Sequence, residues 1–292
     1  KVYILEEALY SDRSEADLAA SLEAIMTELA QPAAAEFSPL ELSSLNFQSH
    51  IEQTAFEKMV EEARSLIRQG DMFQCVLSQR FSAEYSGRPL DYYRNLRVTN
   101  PSNYLYFYDF GDYQIIGASP ESLVSVKQGQ VTTNPIAGTR TRGQDEREDK
   151  ALAKELLADE KEVAEHRMLV DLGRNDIGKI AQNNSVEVTK YMEVEYFRYV
   201  MHLTSVVRGQ LLPQLTAMDA LKSTLPAGTV SGAPKIRAMK RIYELEQEKR
   251  GVYAGAIGYL SATGDMDFAI TIRTMVLKNG RAYVQAGAGI VY

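Results

Sequence analysis

Met266-Asp-Phe-Ala-Ile-Thr-Ile-Arg-Thr-Met-Val276 and Arg281-Ala-Tyr-Val-Gln-Ala-Gly-Ala-Gly-Ile-Val291 are two strand-like runs joined through Asn279-Gly280. Asn-Gly accepts the positive φ angles of a type I′ turn, so the pair predicts an antiparallel hairpin. A third run, 252–261, precedes it. Working backwards, strand-like runs recur at 198–209, 185–196, 130–136, 122–127, 113–118 and 103–109, with Gln128-Gly129 as another turn. From Asp71 the apolar period is two: Phe73, Cys75, Leu77 and Phe81 alternate with Gln74, Val76, Ser78 and Arg80. Helical periodicity marks three regions. Leu18, Leu22, Ile25 and Leu29 share a face over 11–30, with Ser11 or Asp12 as cap. Phe56, Met59, Val60, Ala63, Leu66 and Ile67 form a second amphipathic face, closed by Gly70. Residues 144–182 are helical and charged, and Pro234 suits the first position of a helix reaching Glu248. Hairpins interrupted by helices predict an α+β fold, with antiparallel β-sheets packed together in a core flanked by helices. A doubly wound parallel sheet is excluded.

The chain has 292 residues, of which 32 are Lys or Arg and 39 are Asp or Glu, for a net charge of −7. An acidic chain without a basic run argues against nucleic-acid or membrane-surface binding. Its longest uncharged stretch, Gly251 to Gly264, is fourteen residues broken by four glycines, too short to span a bilayer. Cys75 is the single cysteine, which excludes an internal disulfide and suits a cytoplasmic setting. The start at Lys1 and the stop at Tyr292 inside a strand-like run read as cut ends. Residues 31–49 are rich in Ala, Pro and Ser and read as a linker. The expected organisation is therefore a remnant of an N-terminal region and linker over 1–50. One domain follows over 51–292, with its C-terminal end missing.

Glu162 and Glu165 are three apart in a helical run and face one side, an ordinary solvated face or a carboxylate site for Mg²⁺. Gly228 to Lys235 resembles a phosphate loop, but Pro234 and Ile236 stand where that loop needs Gly and Ser or Thr. Gly287-Ala-Gly289 lacks the third glycine and the helix of a dinucleotide fingerprint. His202 sits among apolar neighbours in a strand run, a place more often structural than catalytic. Arg273 is unusual in an apolar run and requires an anionic partner, from protein or ligand.

These motifs together, in order, resemble the chorismate-utilising enzymes, above all their anthranilate synthase component I branch. The resemblance covers Ala55 to Tyr292. It rests on Gly70-Asp-Met-Phe-Gln74, Ala118-Ser-Pro-Glu-Ser122, Pro135-Ile-Ala-Gly-Thr-Arg140, Glu165-His166, Leu169-Val-Asp-Leu172 and Arg174-Asn-Asp176. It continues through Val200-Met-His-Leu203, Gly228-Thr-Val-Ser-Gly-Ala-Pro-Lys235, Gly251-Val-Tyr-Ala-Gly255, Ile272-Arg-Thr274 and Gln285-Ala-Gly-Ala-Gly289. It implies a Mg²⁺-dependent lyase that adds ammonia to chorismate and releases pyruvate and anthranilate, the first step of tryptophan synthesis.

The resemblance also implies roles. Glu121 is the general acid, and His202 acts in the elimination half. Glu165 binds Mg²⁺. Arg273 and Tyr253, with the backbone of Gly287 and Gly289, hold the pyruvyl carboxylate, while Gly138, Thr139 and Thr229 complete the ring pocket. Gln74 and Ala137 stand where relatives with other nucleophiles carry lysine, so both favour ammonia. A feedback site for tryptophan would be walled by Asn103, Tyr104, Leu105 and Tyr259. A separate glutaminase subunit is the implied source of ammonia, and a second Mg²⁺-binding glutamate is expected beyond Tyr292. Two alternatives stay open: component I of aminodeoxychorismate synthase, and a non-catalytic paralogue that binds chorismate.

Overall fold

The computed structural model describes residues 12–31 and 45–292, and the chain falls into two compact units, Lys1–Pro39 and Leu40–Tyr292. In the first unit the described residues form helix α1, Glu15–Ala30. Its cap is Ser14, not Ser11 or Asp12, because Ser14 and Asp17 complete a reciprocal capping box.

The second unit begins with β1 (Gln48–Ser49), α2 (Gln53–Arg68), β2 (Gln74–Glu84) and α3 (Pro89–Thr99). Then come β3 (Tyr104–Asp109), β4 (Tyr113–Ser119), β5 (Ser122–Lys127), β6 (Gln130–Thr133) and β7 (Ile136–Thr141). Helices α4 (Glu146–Ala158) and α5 (Glu160–Gly178) precede β8 (Glu187–Tyr196), β9 (Val200–Gln210) and α6 (Ala217–Thr224). A 3₁₀ turn at Gly228–Val230 leads to β10 (Gly232–Ala233) and α7 (Lys235–Glu246). The chain closes with β11 (Ala256–Leu260), β12 (Met266–Ile270), β13 (Thr274–Lys278) and β14 (Arg281–Ile290).

Every strand pairing is antiparallel among the described residues, in two seven-stranded sheets. The first runs β1-β2-β14-β13-β4-β3, with β10 also on β2; the second runs β11-β12-β5-β6-β9-β7, with β8 also on β9. Helices α2 and α7 cover Cys75 and Leu77 of the first sheet, while α5 and α6 cover the apolar face of the second. The fold is α+β, with two antiparallel sheets and flanking helices.

Several sequence expectations change. The run 266–276 is two strands on different sheets, because the chain bends at Thr271–Arg273 and Arg273 takes φ +50°. The run 130–136 also divides: Pro135 has no N–H for the ladder, and 136–141, around Gly138, is itself a strand. The charged stretch 144–182 is two helices, with Asp159 capping the second through the N–H groups of Lys161 and Glu162. Pro234 is the cap residue of α7 rather than its first helical position. Tyr253 lies in a turn, and the strand begins only at Ala256. Gln48 and Ser49, at the end of the linker stretch, pair with Ser82 and Phe81; residues 32–44 of that stretch lie outside the described residues.

The strand that changes sheets has a counterpart. Between β4 on the first sheet and β5 on the second, the chain crosses at Pro120-Glu121; between β12 and β13 it crosses back. The crossings run side by side: Ile270 N–H donates to Glu121 O at 3.0 Å, and Ala118 N–H to Arg273 O at 3.2 Å. This seam places a carboxyl, Glu121, and a guanidinium, Arg273, on adjacent crossings between the sheets.

Candidate active site

Glu121 follows Pro120 at the seam and lines a cavity of about 50 Å³ with Asp176, Thr224, Gly228 and Thr229. Thr229 Oγ1 donates to Glu121 Oε1 at 2.9 Å. Burial pushes the Glu121 carboxyl up to about 7, against smaller downward pulls from Thr229 and the Arg273 charge. A carboxyl half protonated near neutrality can deliver a proton and take one back. Arg273 is exposed, and its side chain has no hydrogen bond or ion pair among the described residues. Its guanidinium is open to a ligand carboxylate, at a crossing rather than within a strand.

Gln74, on β2, donates from Nε2 to Glu165 Oε1 of α5 at 3.3 Å. Gln74 is 3% exposed and its Oε1 has no hydrogen-bond partner. Glycines create the room here. A Cβ at Gly289 would lie 2.7 Å from Gln74 Nε2, and one at Gly287 would lie 2.5 Å from the Tyr253 hydroxyl. Gly232, at φ +139°, lets β10 close against the Gln74 carbonyl.

Glu162 lies one turn before Glu165, as the spacing predicts, but Arg140 Nη1 approaches its Oε1 at 3.8 Å. A Cβ at Gly138 would lie 3.3 Å from Glu162 Oε2, so the β7 bulge meets the same helix face. Across that bulge, His202 Nδ1 is 3.0 Å from Gly138 O and 3.1 Å from Thr139 Oγ1. A carbonyl only accepts, so Nδ1 carries the hydrogen and the neutral ring keeps Nε2 as its basic nitrogen.

The contacts form two groups. Gly287 and Gly289 join Tyr253 to Gln74, Gln74 reaches Glu165 on α5, and the same helix through Glu162 meets Gly138, Thr139 and His202. Glu121 pairs with Thr229 and feels the Arg273 charge. The four residues expected to wall a tryptophan site make contacts of their own. Tyr104 Oη donates to Asp267 Oδ1 at 3.0 Å, and Asp267 pairs across the ladder with Tyr259. Asn103 precedes β3 and is exposed; Leu105 alternates to the opposite face from Tyr104.

For Mg²⁺, the donors that fit are the two α5 carboxylates, Glu165 beside the neutral Gln74 amide and Glu162 beside the Arg140 cation. Mg²⁺ takes oxygen ligands, often one or two carboxylates completed by water and ligand oxygens, so this sparse set suits it. No group of three or more His, Cys, Asp or Glu side chains forms a metal cluster among the described residues. Burial pushes the Cys75 thiol up to about 12, so it is no nucleophile. Among the described residues no helix is long and apolar enough to cross a membrane.

Sequence reading missed the polar supports of this region. Lys235 Nζ pairs with Asp176 in the interior and donates to Thr224 O at 2.7 Å, closing the loop that carries Thr229. Arg250 pairs with Glu246, buried beneath Tyr253. Asp176 and Lys235 stood inside quoted motifs, whereas Arg250 carried only its place before Gly251.

Comparison with known proteins agrees with this architecture. The chain is 59% identical to "Anthranilate synthase component 1" of Lactococcus lactis subsp. lactis, over all of this chain and 64% of that protein. The crystal structure of anthranilate synthase component I from Streptococcus pneumoniae superposes with a TM-score of 0.93 at 75% identity, covering 100% of this chain and 65% of that one. The menaquinone-specific isochorismate synthase of Escherichia coli shares the fold, with a TM-score of 0.79 at 24% identity over 95% of this chain and 64% of that one. The chain thus spans just under two thirds of these relatives. The chorismate binding enzyme family matches residues 1–292, and the chain belongs to that family.

Proposed function

We propose that this chain carries the chorismate-converting site of component 1 of an anthranilate synthase. The observation that carries the reading is Glu121: a recessed carboxyl with its pKa near 7, held by Thr229 beside the free Arg273 guanidinium. Chorismate loses its C4 hydroxyl only if that poor leaving group is protonated, and Glu121 is poised to do so.

Arg273, Tyr253 and the open backbone at Gly287 and Gly289 bind the pyruvyl carboxylate, a planar anion that suits a guanidinium. Gln74 Oε1, buried and without a partner, accepts an N–H of ammonia and orients its lone pair toward C2. An amide is no base for water, and Ala137 offers no amine, so ammonia is the nucleophile rather than water or a lysine. As the C2–N bond forms, the C4–O bond breaks and Glu121 gives its proton to the departing hydroxyl, which leaves as water. The newly bonded nitrogen sheds one proton to solvent and becomes the amine. His202, with Nε2 basic, then takes the C2 proton as the ring carbon–oxygen bond to the enolpyruvyl group breaks, leaving the aromatic amine. The released enolpyruvate takes up a proton at its methylene carbon to become pyruvate. Gly138, Thr139 and Thr229 border the ring. Glu165, with Glu162 beside it, would hold Mg²⁺, which when bound neutralises the ring carboxylate.

The inert Cys75 leaves this chain without a glutaminase nucleophile, which supports ammonia from a separate glutaminase subunit. A single buried cysteine supports a cytoplasmic setting. The Tyr104–Asp267–Tyr259 cluster, with Asn103 and Leu105, is proposed as the tryptophan wall. The domain reading, a chorismate-binding catalytic domain over 51–292, belongs to the same proposal.

The test supplies the full-length protein with chorismate, Mg²⁺ and ammonium, follows anthranilate fluorescence and identifies products by chromatography. Anthranilate with pyruvate supports the reading. Aminodeoxychorismate or isochorismate would overturn the roles of Gln74 and Ala137, and bound but unconverted chorismate would point to a non-catalytic paralogue.

A further inference from the structure

Arg250 is assigned no contact with chorismate, yet four of its five guanidinium N–H groups are committed. Nε and Nη2 donate to the two oxygens of Glu246 at 2.8 and 2.6 Å. Nη1 donates to Val230 O at 2.6 Å and Nη2 to Val76 O at 2.7 Å. Its Cζ lies 5.5 Å from the centre of the Tyr253 ring. The two side chains are 16% and 6% exposed, and Glu246 Oε1 also accepts from the N–H and hydroxyl of Ser78 at 2.7 and 2.9 Å.

Each of these contacts adjoins a different part of the site. Val230 follows Thr229, which donates to Glu121. Val76 lies two residues beyond Gln74 and pairs with Gly289. Tyr253 places its hydroxyl against Gly287. A buried ion pair adds little net stability over an apolar replacement, because desolvation offsets the attraction. What a planar five-donor group does add is fixed geometry between separate backbone segments.

We propose that Arg250 is a positioning residue that holds the Thr229 loop, the Gln74 strand and the Tyr253 turn in one register. The proposal rests on the chorismate reading only for its kinetic consequences. Lysine keeps the charge but not the fork, so Arg250→Lys releases the Val230 and Val76 carbonyls unequally and lets Thr229 drift from Glu121. The groups bearing on Glu121 are Thr229 from the loop, Arg273 from the crossing and Asp176 from the end of α5, which lines the same cavity. Thr229 stabilises the Glu121 anion, so its loss raises the pKa and moves the alkaline limb of kcat to higher pH.

The experiment compares Arg250→Lys, Thr229→Val and the double variant, with Arg250→Gln as a second probe. It reads kcat and KM across pH and, without substrate, the titration of the ¹³C-labelled Glu121 carboxyl. Expected for Arg250→Lys are a loss of about 100-fold in kcat, a several-fold rise in chorismate KM, and a Glu121 midpoint raised by about one pH unit. The double variant should titrate like either single one. A folded Arg250→Lys whose Glu121 titrates as in the wild type, or additive shifts in the double variant, would overturn the proposal. Absence of turnover in the wild type would instead defeat the chorismate reading, and the carboxyl titration would still decide the role of Arg250.

Discussion

The seam between the sheets and the exposed face of α5 both present glutamate, but they treat it differently. At the seam Glu121 sits in a recess between two chain crossings, receives one hydroxyl proton and has its acidity weakened by burial. On α5, Glu162 and Glu165 stand half-buried on a helix face, one approached by Arg140 and the other by the Gln74 amide. Desolvation favours the protonated form and suits an acid, whereas half-buried carboxylates on a helix face leave oxygens open to a cation. One residue type thus stands in two different environments, which is what the two proposed roles require.

The largest effect expected from breaking this contrast is at the seam. Glu121→Gln removes the proton donor and should lower kcat by about 10²- to 10⁴-fold with little change in chorismate KM, as read by steady-state fluorescence. The same substitution should act oppositely on stability. Glu121 binds its proton more tightly when folded, near 7 against an ordinary 4.5. Its stabilising contribution is therefore complete below about pH 4.5 and is lost as pH rises through about 7. Thermal melts should show Glu121→Gln gaining on the wild type between pH 4 and pH 8, by at most about 3 kcal/mol. No gain would mean that the carboxyl is better solvated than its recess implies.

On the helix face, Glu165→Gln should weaken the Mg²⁺ dependence of turnover by at least the ~10- to 100-fold that outer-shell partners of metals command, while leaving the Glu121 limb in place. The smallest effect is expected where the two regions meet. Gly287→Ala would set a methyl 2.5 Å from the Tyr253 hydroxyl and 3.0 Å from Leu77 O, and the backbone carbonyl cannot yield. Chorismate KM should rise about tenfold, the ~1–3 kcal/mol cost of overpacking, with kcat less affected. A larger fall in kcat than in affinity would place Tyr253 in the chemistry instead.

The hairpins were legible because their turns make a demand only certain residues meet: Gln128-Gly129 and Asn279-Gly280 all adopt positive φ. The seam was not, because apolar residues continue through Thr271-Ile272 while the chain changes sheets. The bend shows only in the φ of Arg273. Helices α3 and α6 went unread although each carries a start signal: Pro89 in the first turn of one, and the Thr216–Asp219 capping box of the other. Of the site, the residues proposed to face ligand stand in glycine-rich or charged motifs and could be singled out. Their supports could not: Arg250 acts on the carbonyls of Val76 and Val230, and a carbonyl leaves no trace in sequence.

The most direct measurement is the pH dependence of kcat at saturating chorismate, Mg²⁺ and ammonia, for the wild type and Glu121→Gln. The wild-type rate should fall as pH rises through about 7, and the residual rate of the variant should lack that limb. An alkaline limb that persists unchanged in the variant would contradict Glu121 as the acid.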